Sequence, residues 1–398
     1  MKHDFDTIVN RKNTNSLKWD LFDDEFPMWV ADMDFKAAPK IYEAINKRAQ
    51  ADVYGYSIVP DEYFDAYINW WKRYGLEMKR DELLFSISVM PAITSIIRAF
   101  TDINDKIIIQ TPVYHVFFSV ILANNRKVIE NQLIYDPDAI DVEGAYVIDF
   151  EDLESKLSEE DTKMMILCNP HNPIGKIWEK EDLERMGNLC KKHDVILVSD
   201  EIHCDLTDPG LSYVPFASLS TVCAENSITV ISPSKTFNIA GLQSSAIFTR
   251  NKDWHDVLES QLQTDFFSMS NIFSIYGAIA AYESEDWLEE LNEYLYENKQ
   301  TVKDYLKENV SDIKLVPANA TYLLWLDCSS LNIDSNTLSE FLREEAGLFL
   351  SPGVQFGQCG DNFLRMNIAC PRELLLEGLN ALKEGIELFK EDKLVKIR

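Results

Sequence analysis

No apolar run in this 398-residue chain reaches membrane-spanning length, so an α-helical membrane protein is not expected. The start, Met1-Lys2-His3-Asp4-Phe5-Asp6, is charged from its first residues and lacks the apolar stretch of a secretory signal. Basic residues are scarce: 38 Lys and Arg stand against 66 Asp and Glu, a formal net charge of -28. Such a surface repels a phosphate backbone, so nucleic acid is not an expected partner. Paired C-x-x-C spacing is also missing. The seven cysteines, Cys168, Cys190, Cys204, Cys223, Cys328, Cys359 and Cys370, are odd in number and scattered, which argues against zinc or dithiol chemistry. A reducing cytoplasm is the expected location. Internal repeats, low-complexity tracts and Gly/Ser linkers are absent as well.

What is present is the mixture of an ordinary globular protein, 46% hydrophobic and 26% charged. The length suits roughly two to three domains, or one large domain with a smaller satellite. Short apolar runs alternate with amphipathic segments, the pattern of an α/β fold with a mostly parallel, doubly wound sheet flanked by helices. Lys106 to Gln110, Met164 to Cys168, Val195 to Ser199 and Ile228 to Ile231 read as its strands, each ending in a polar cluster. After Asp286 the pattern changes. Trp287 to about Asn309 reads as a long helix packing Leu288, Leu291, Leu295, Val302 and Leu306. Thr321 to Leu326 and Phe363 to Ile368 then read as strands, and Arg372 to Lys390 as a last helix behind Pro371. The expected division is a large domain, 50–286, and a smaller α+β domain made of 1–49 with 287–398.

In open α/β sheets ligands gather beyond the carboxyl ends of strands, so chemistry is expected just after each one. Cys168-Asn169-Pro170-His171-Asn172-Pro173-Ile174-Gly175 closes one strand and by itself is only a turn. Ser199-Asp200-Glu201-Ile202-His203 closes another with a carboxylate, either a helix N-cap or a functional group. Ser232-Pro233-Ser234-Lys235 follows a third, and alone would be an ordinary loop.

Together and in this order, the three sites resemble the fold-type I pyridoxal-phosphate (PLP) enzymes, the aspartate aminotransferase superfamily. Pro27-Met28-Trp29-Val30-Ala31-Asp32-Met33-Asp34-Phe35 and Asp200-Glu201-Ile202-His203 resemble its cystathionine β-lyase-like C-S lyase branch. The likeness covers nearly the whole chain. It implies that Lys235 anchors pyridoxal 5'-phosphate as a Schiff base and later moves the substrate Cα proton, for which only an amine serves. That amine's pKa must fall from about 10.4. Asp200 would face the pyridine nitrogen, where an ion pair at about 3 Å gains roughly 5 kcal/mol at an effective dielectric near 20, before desolvation.

The resemblance also places Asn172 at the cofactor's phenolic oxygen, His203 where aminotransferases often carry Tyr, and Tyr114 against the ring. His203 and Tyr114 read equally well as packed core residues. Asn169 joins the cofactor-binding set. Ser88-Val89-Met90-Pro91 leads a strand, Leu83 to Ile87, into a helix whose free N–H groups suit the phosphate, with Val89 and Met90 in its first turn and Ser232 and Ser234 adding hydroxyls. Two departures stand out: Ser88 replaces a common Gly, tightening backbone freedom, and Gln243 replaces the phosphate-binding Arg of aminotransferases. Tyr56, in Tyr54-Gly55-Tyr56, would reach the neighbouring subunit's phosphate and so implies a homodimer with shared sites; otherwise it is a surface aromatic. Arg365, a charge in the apolar strand Phe363-Leu364-Arg365-Met366-Asn367, is either a grip for a substrate α-carboxylate or half of an internal salt bridge.

The expected reaction is β-elimination from L-cystathionine or another cysteine S-conjugate, an amino-acid thioether, releasing a thiol or homocysteine, pyruvate and ammonia. The alternative is a class I/II aminotransferase; a binding module that keeps the fold without catalysis is a third class, and no DNA-binding segment supports it. No second Arg is assignable to a distal substrate carboxylate. Trp29, Tyr114, Phe266 and Phe267 either wall the substrate site or pack in the core.

Overall fold

The computed structural model describes residues 2–22 and 25–397. Among these residues a seven-stranded sheet runs in the order Leu83–Ser86, Ser245–Phe248, Ser227–Ile231, Ile196–Asp200, Thr162–Cys168, Lys106–Ile109, Lys127–Glu130. All neighbours pair in parallel except Ser245–Phe248, which is antiparallel to both of its partners. The expected mostly parallel sheet is therefore present, with one reversed strand.

The strands are apolar run after run because both faces of the sheet are covered. Side chains alternate between two cores with the period of two that a pleat imposes. Ile107, Ile109, Ile166, Val198 and Val230 pack on one face with Ile93, Ile96 and Ile97 of the helix Val89–Phe100. Ile108, Met165, Leu167 and Leu197 pack on the other with Leu183 and Met186 of the helix Lys180–Lys192.

A second, four-stranded antiparallel sheet follows the order Lys314–Leu315, Leu323–Asp327, Phe363–Asn367, Ser351–Pro352. Between the two sheets in sequence lies the helix Glu285–Asn309, about 37 Å long at 1.5 Å per residue. Its buried stripe includes Leu288, Leu291, Leu295, Val302 and Leu306, as its spacing foretold. The last helix, Arg372–Ile397, runs several residues past its expected end. No helix among the described residues is long and apolar enough to cross a membrane.

The segment from Met28 to Phe35 straps the two sheets together. Asn367 Nδ2 donates to the carbonyls of Val30 (2.6 Å) and Asp32 (2.7 Å) on one side. Asn238 Nδ2 donates to those of Met33 (3.0 Å) and Phe35 (3.3 Å) on the other. Because Asn367 ends a strand of the smaller sheet and Asn238 lies three residues past Lys235, the strap fixes one relative to the other.

Candidate active site

The parallel strands end together, so the register decides which side chains meet. Cys168 lies opposite Asp200, and Asp200 opposite Val230, one residue before the strand Ser227–Ile231 ends. The reversed strand brings Ser245 opposite Ser86 at the same edge. The loop 232–244 thus leaves and returns at the carboxyl edge, and Lys235 sits on it. Around this edge is a cavity of about 150 Å³ lined by Ala31, Ser88, Val89, Met90, Tyr114, Cys168, Asn172, Asp200, Ile202, His203, Ser234, Lys235, Ala240 and Ser244.

Ten of the residues singled out in the sequence therefore converge: Ser88, Val89, Met90, Tyr114, Asn172, Asp200, His203, Ser234 and Lys235 in the wall, with Arg365 joined to them through Asn172. Lys235 Nζ donates to the Ala31 carbonyl at 2.6 Å. Its pKa is lowered to about 8, chiefly by burial and also by Arg365, while Asp32 and Asp200 pull the other way. Burial raises Asp200 to about 7, against the Ile202 N–H at 3.1 Å and Lys235. His203 falls to about 3 through burial, helped by the charges of Lys235 and Arg365, and stays neutral. Its Nδ1 is buried without a hydrogen-bond partner. Burial also raises the Tyr114 phenol, which remains protonated.

Arg365 is 4% exposed. Its Nη1 donates to Asn172 Oδ1 at 3.1 Å and its Nη2 to the Trp29 carbonyl at 2.8 Å, while Nε is buried without a partner. Among the described residues it forms no ion pair, so the internal salt bridge is not what holds it. Burial lowers its pKa to about 10. It remains a buried cation with donor capacity to spare, and Phe356 packs against its guanidinium at 4.7 Å.

Apart from Ser88, which lines the cavity, the remaining residues lie elsewhere. Asn169 is fully buried but turned away from the cavity; Nδ2 donates to the Tyr213 hydroxyl at 3.3 Å and Oδ1 accepts from the Trp178 N–H at 3.4 Å. Tyr56 is 98% exposed and takes no part in the site of a single chain. Ser232 lies behind the wall and donates to the Ser244 carbonyl at 2.7 Å. Ser88 has φ -172° and ψ 168°, extended backbone open to any residue, so the expected tightening has no consequence here. Gln243 is exposed, with φ 58°. Trp29 stacks on Phe349 at 5.1 Å, and Phe266 is 72% exposed in the single chain and does not line its cavity. Ala31, Cys168, Ile202, Ala240 and Ser244 line the cavity without having been picked out; Ala31 and Cys168 sat inside motifs that were, whereas nothing in the sequence distinguishes Ser244.

A profile of the family "Aminotransferase class I and II" matches residues 30–382. The chain belongs to the aminotransferase class I and II family. Within this family it is similar to "Cystathionine beta-lyase PatB" of Bacillus subtilis (strain 168), 38% identical over 96% of this chain and 99% of that one. Among solved structures it resembles cystalysin from Treponema denticola, which contains a pyridoxal 5'-phosphate cofactor, with a TM-score of 0.91 and 34% identity over 97% and 99% of the two chains. The PLP-bound C-S lyase from Staphylococcus hominis superimposes with a TM-score of 0.89 at 33% identity, covering 97% of this chain and 98% of that one. These likenesses place the chain in the C-S lyase branch of the aminotransferase class I and II family.

The family's cofactor fits the residues present. The cavity wall offers the first-turn N–H groups of the helix Val89–Phe100, which its Ser88 side chain does not cap, and these suit an anion. The same wall holds Asp200, a buried carboxylate accepting from the Ile202 N–H, which a cationic ring would complement. An amine of lowered pKa lies in the same wall, and the orphaned Nδ1 of His203 marks a further place for a polar group.

Proposed function

We propose that this chain is a pyridoxal 5'-phosphate-dependent C–S β-lyase that cleaves L-cystathionine or another cysteine S-conjugate to a thiol or homocysteine, pyruvate and ammonia. When bound, the cofactor supplies an aldehyde and an electron-withdrawing ring that stabilises negative charge at the substrate Cα. Lys235 would hold the aldehyde carbon. With its pKa near 8, a useful fraction of this amine is unprotonated around neutral pH, as removal of the Cα proton requires. Asp200 would hold a proton on the ring nitrogen, Tyr114 and His203 would pack against the ring, and Ser234 with the Val89 and Met90 N–H groups would bind the phosphate.

The observation that carries the reading is Arg365: a buried guanidinium facing no carboxylate, joined through Asn172 to the wall that holds Lys235. It is built to receive an α-carboxylate close to the amine that would take the α-proton. Elimination is favoured over transamination of dicarboxylates because, among the described residues, Lys235 is the sole cation lining the cavity, leaving none for a distal carboxylate of a keto-acid partner. Pyruvate release from L-cystathionine with no keto acid present tests this. No pyruvate, together with turnover once 2-oxoglutarate is added, would establish an aminotransferase instead.

The same reading makes the enzyme a homodimer. Tyr56 would cross to the second copy, and Val53, Tyr54 and Ile58 around it are likewise exposed apolar surface for such a partner to cover. We also propose a reducing, cytoplasmic location, in keeping with seven cysteines that are all free.

A further inference from the structure

Lys235 Nζ donates to the Ala31 carbonyl, so the amine stands one residue from Asp32 on the strap between the two sheets. Asp32 is nevertheless turned to another cation. Both of its carboxylate oxygens accept from Arg11, Oδ2 from Nη2 at 2.8 Å and Oδ1 from Nη1 at 3.1 Å, and it pairs with Arg11 rather than with Lys235. The same Nη1 reaches the Met33 carbonyl at 3.0 Å and Asp34 Oδ1 at 2.9 Å. Among the described residues Arg11 is the sole hydrogen-bond partner of the Asp32 carboxylate, whereas the groups around it have other holders. Asp34 also accepts from Lys18 Nζ at 2.6 Å and Trp19 Nε1 at 2.8 Å, and the strap's carbonyls accept from Asn367, Asn238 and Lys18. What depends on Arg11 alone is where the Asp32 carboxylate points.

We propose that Arg11 is a positioning residue for Lys235: its fork holds the Asp32 carboxylate away from the amine, and without it Asp32 would pair with Lys235 and keep that base charged. This rests on the reading of Lys235 as the group that takes the α-proton. The charges facing the amine come from three elements, Asp32 on the strap, Arg365 on the smaller sheet and Asp200 at its strand end. His203, Tyr114 and Cys168 share the cavity wall and are kept neutral by burial, as is Tyr322, which faces Asp32. Of the three charges Asp32 acts most strongly on Lys235 even while clamped. Burial and Arg365 together hold the amine down to about 8. A carboxylate swung into contact would undo that, since an opposite charge within a few ångströms moves a buried group by about 1 to 3 pH units.

The test exposes the full-length chain, freed of cofactor, to cyanate across a pH series and follows carbamylation of Lys235 by mass spectrometry of its peptide. Cyanate adds to the unprotonated amine to form a urea, so the rate reports deprotonation of this one lysine. The wild-type midpoint should lie near pH 8. Arg11→Gln should raise it by about one unit, Asp32→Asn should lower it by about half a unit, and the double variant should match Asp32→Asn, because Arg11 acts through Asp32. An Arg11→Gln midpoint at or below that of wild type would overturn the inference. So would a rise that survives in the double variant, which marks a structural effect of losing Arg11. Asp34 keeps Lys18 and Trp19 in every variant, so the strap retains its anchors. If Arg11→Gln fails to fold all the same, Asp32→Asn decides alone, and a midpoint equal to that of wild type overturns the inference. Pyridoxal 5'-phosphate added to the wild-type chain should shield Lys235 from cyanate; an unshielded Lys235 would overturn the cofactor reading itself, a result distinct from any pattern of midpoints.

Discussion

The Thr236 hydroxyl donates a 3.0 Å hydrogen bond to the carboxylate of Asp205, so the residue after Lys235 is tied to the turn that follows Asp200. Asp205 is 3% exposed and also accepts from Trp70 Nε1 at 2.8 Å and the Tyr74 hydroxyl at 2.6 Å. Replacing it with Ala leaves three donors without a partner. Asp205→Ala should destabilise the chain by about 3 kcal/mol or more, and Thr236→Val, which removes one donor together with its need, by about 1 kcal/mol. Urea unfolding of each variant measures both. An Asp205→Ala loss no larger than that of Thr236→Val would show that the carboxylate does not organise this junction.

Asp200 makes the stability of the cofactor-free chain depend on pH. Its folded pKa of about 7 lies above its ordinary 3.8, so the folded state binds this proton more tightly than the unfolded state does. The resulting stabilisation is complete below the unfolded pKa and is lost as pH rises through 7. Asp200→Asn stays neutral and escapes that loss. Relative to wild type, the cofactor-free variant should gain roughly 2 to 3 kcal/mol between pH 5 and pH 8. Unfolding curves at the two pH values decide it, and a pH-independent difference would refute it. In the loaded enzyme the sign of the benefit reverses: Asp200→Asn should still take up cofactor but lose on the order of a hundredfold or more in kcat.

Arg365 lends itself to a conservative replacement. Lysine keeps the charge but loses the planar fork and the hydrogen bonds that Nη1 and Nη2 make to Asn172 and the Trp29 carbonyl. Arg365→Lys should reduce kcat/KM for L-cystathionine by about a hundredfold, mostly through KM, with cofactor affinity unchanged. An unaltered KM would remove Arg365 from the substrate's carboxylate.

Much of this site was legible because its chemistry sits at strand ends. Asp200 closes an apolar strand, Lys235 follows another by four residues, and Val89 and Met90 open a helix behind a third. A polar cluster after a buried strand is a local pattern, and local patterns survive in sequence. What escaped was set by partners far along the chain. Asn169 looked like its neighbour Asn172, yet Tyr213, 44 residues on, claims its side chain. Ser244 carries no signal of its own; its place depends on Tyr63, 181 residues earlier. The reversal of Ser245–Phe248 was equally hidden, since a strand of four residues does not state which way it points.

The exposed Tyr56 permits a test in which two damaged chains repair one another. If its hydroxyl serves the neighbouring subunit's site, each site of the dimer takes Lys235 from one chain and Tyr56 from the other. Lys235→Ala and Tyr56→Ala homodimers should then both be inactive, or nearly so. In a mixed dimer one site collects both mutations and the other collects neither. Unfolding the two variants together and refolding the mixture should restore about a quarter of wild-type activity, because half of randomly reassorted dimers are mixed and one of their two sites is intact. A site confined to one chain gives a different result: the mixture would stay at the average of the two parents, whatever the extent of exchange. Tyr56 is nearly fully solvated in the single chain, so its substitution should leave monomer folding untouched, and a mixture that fails to recover would count against shared sites rather than against the fold.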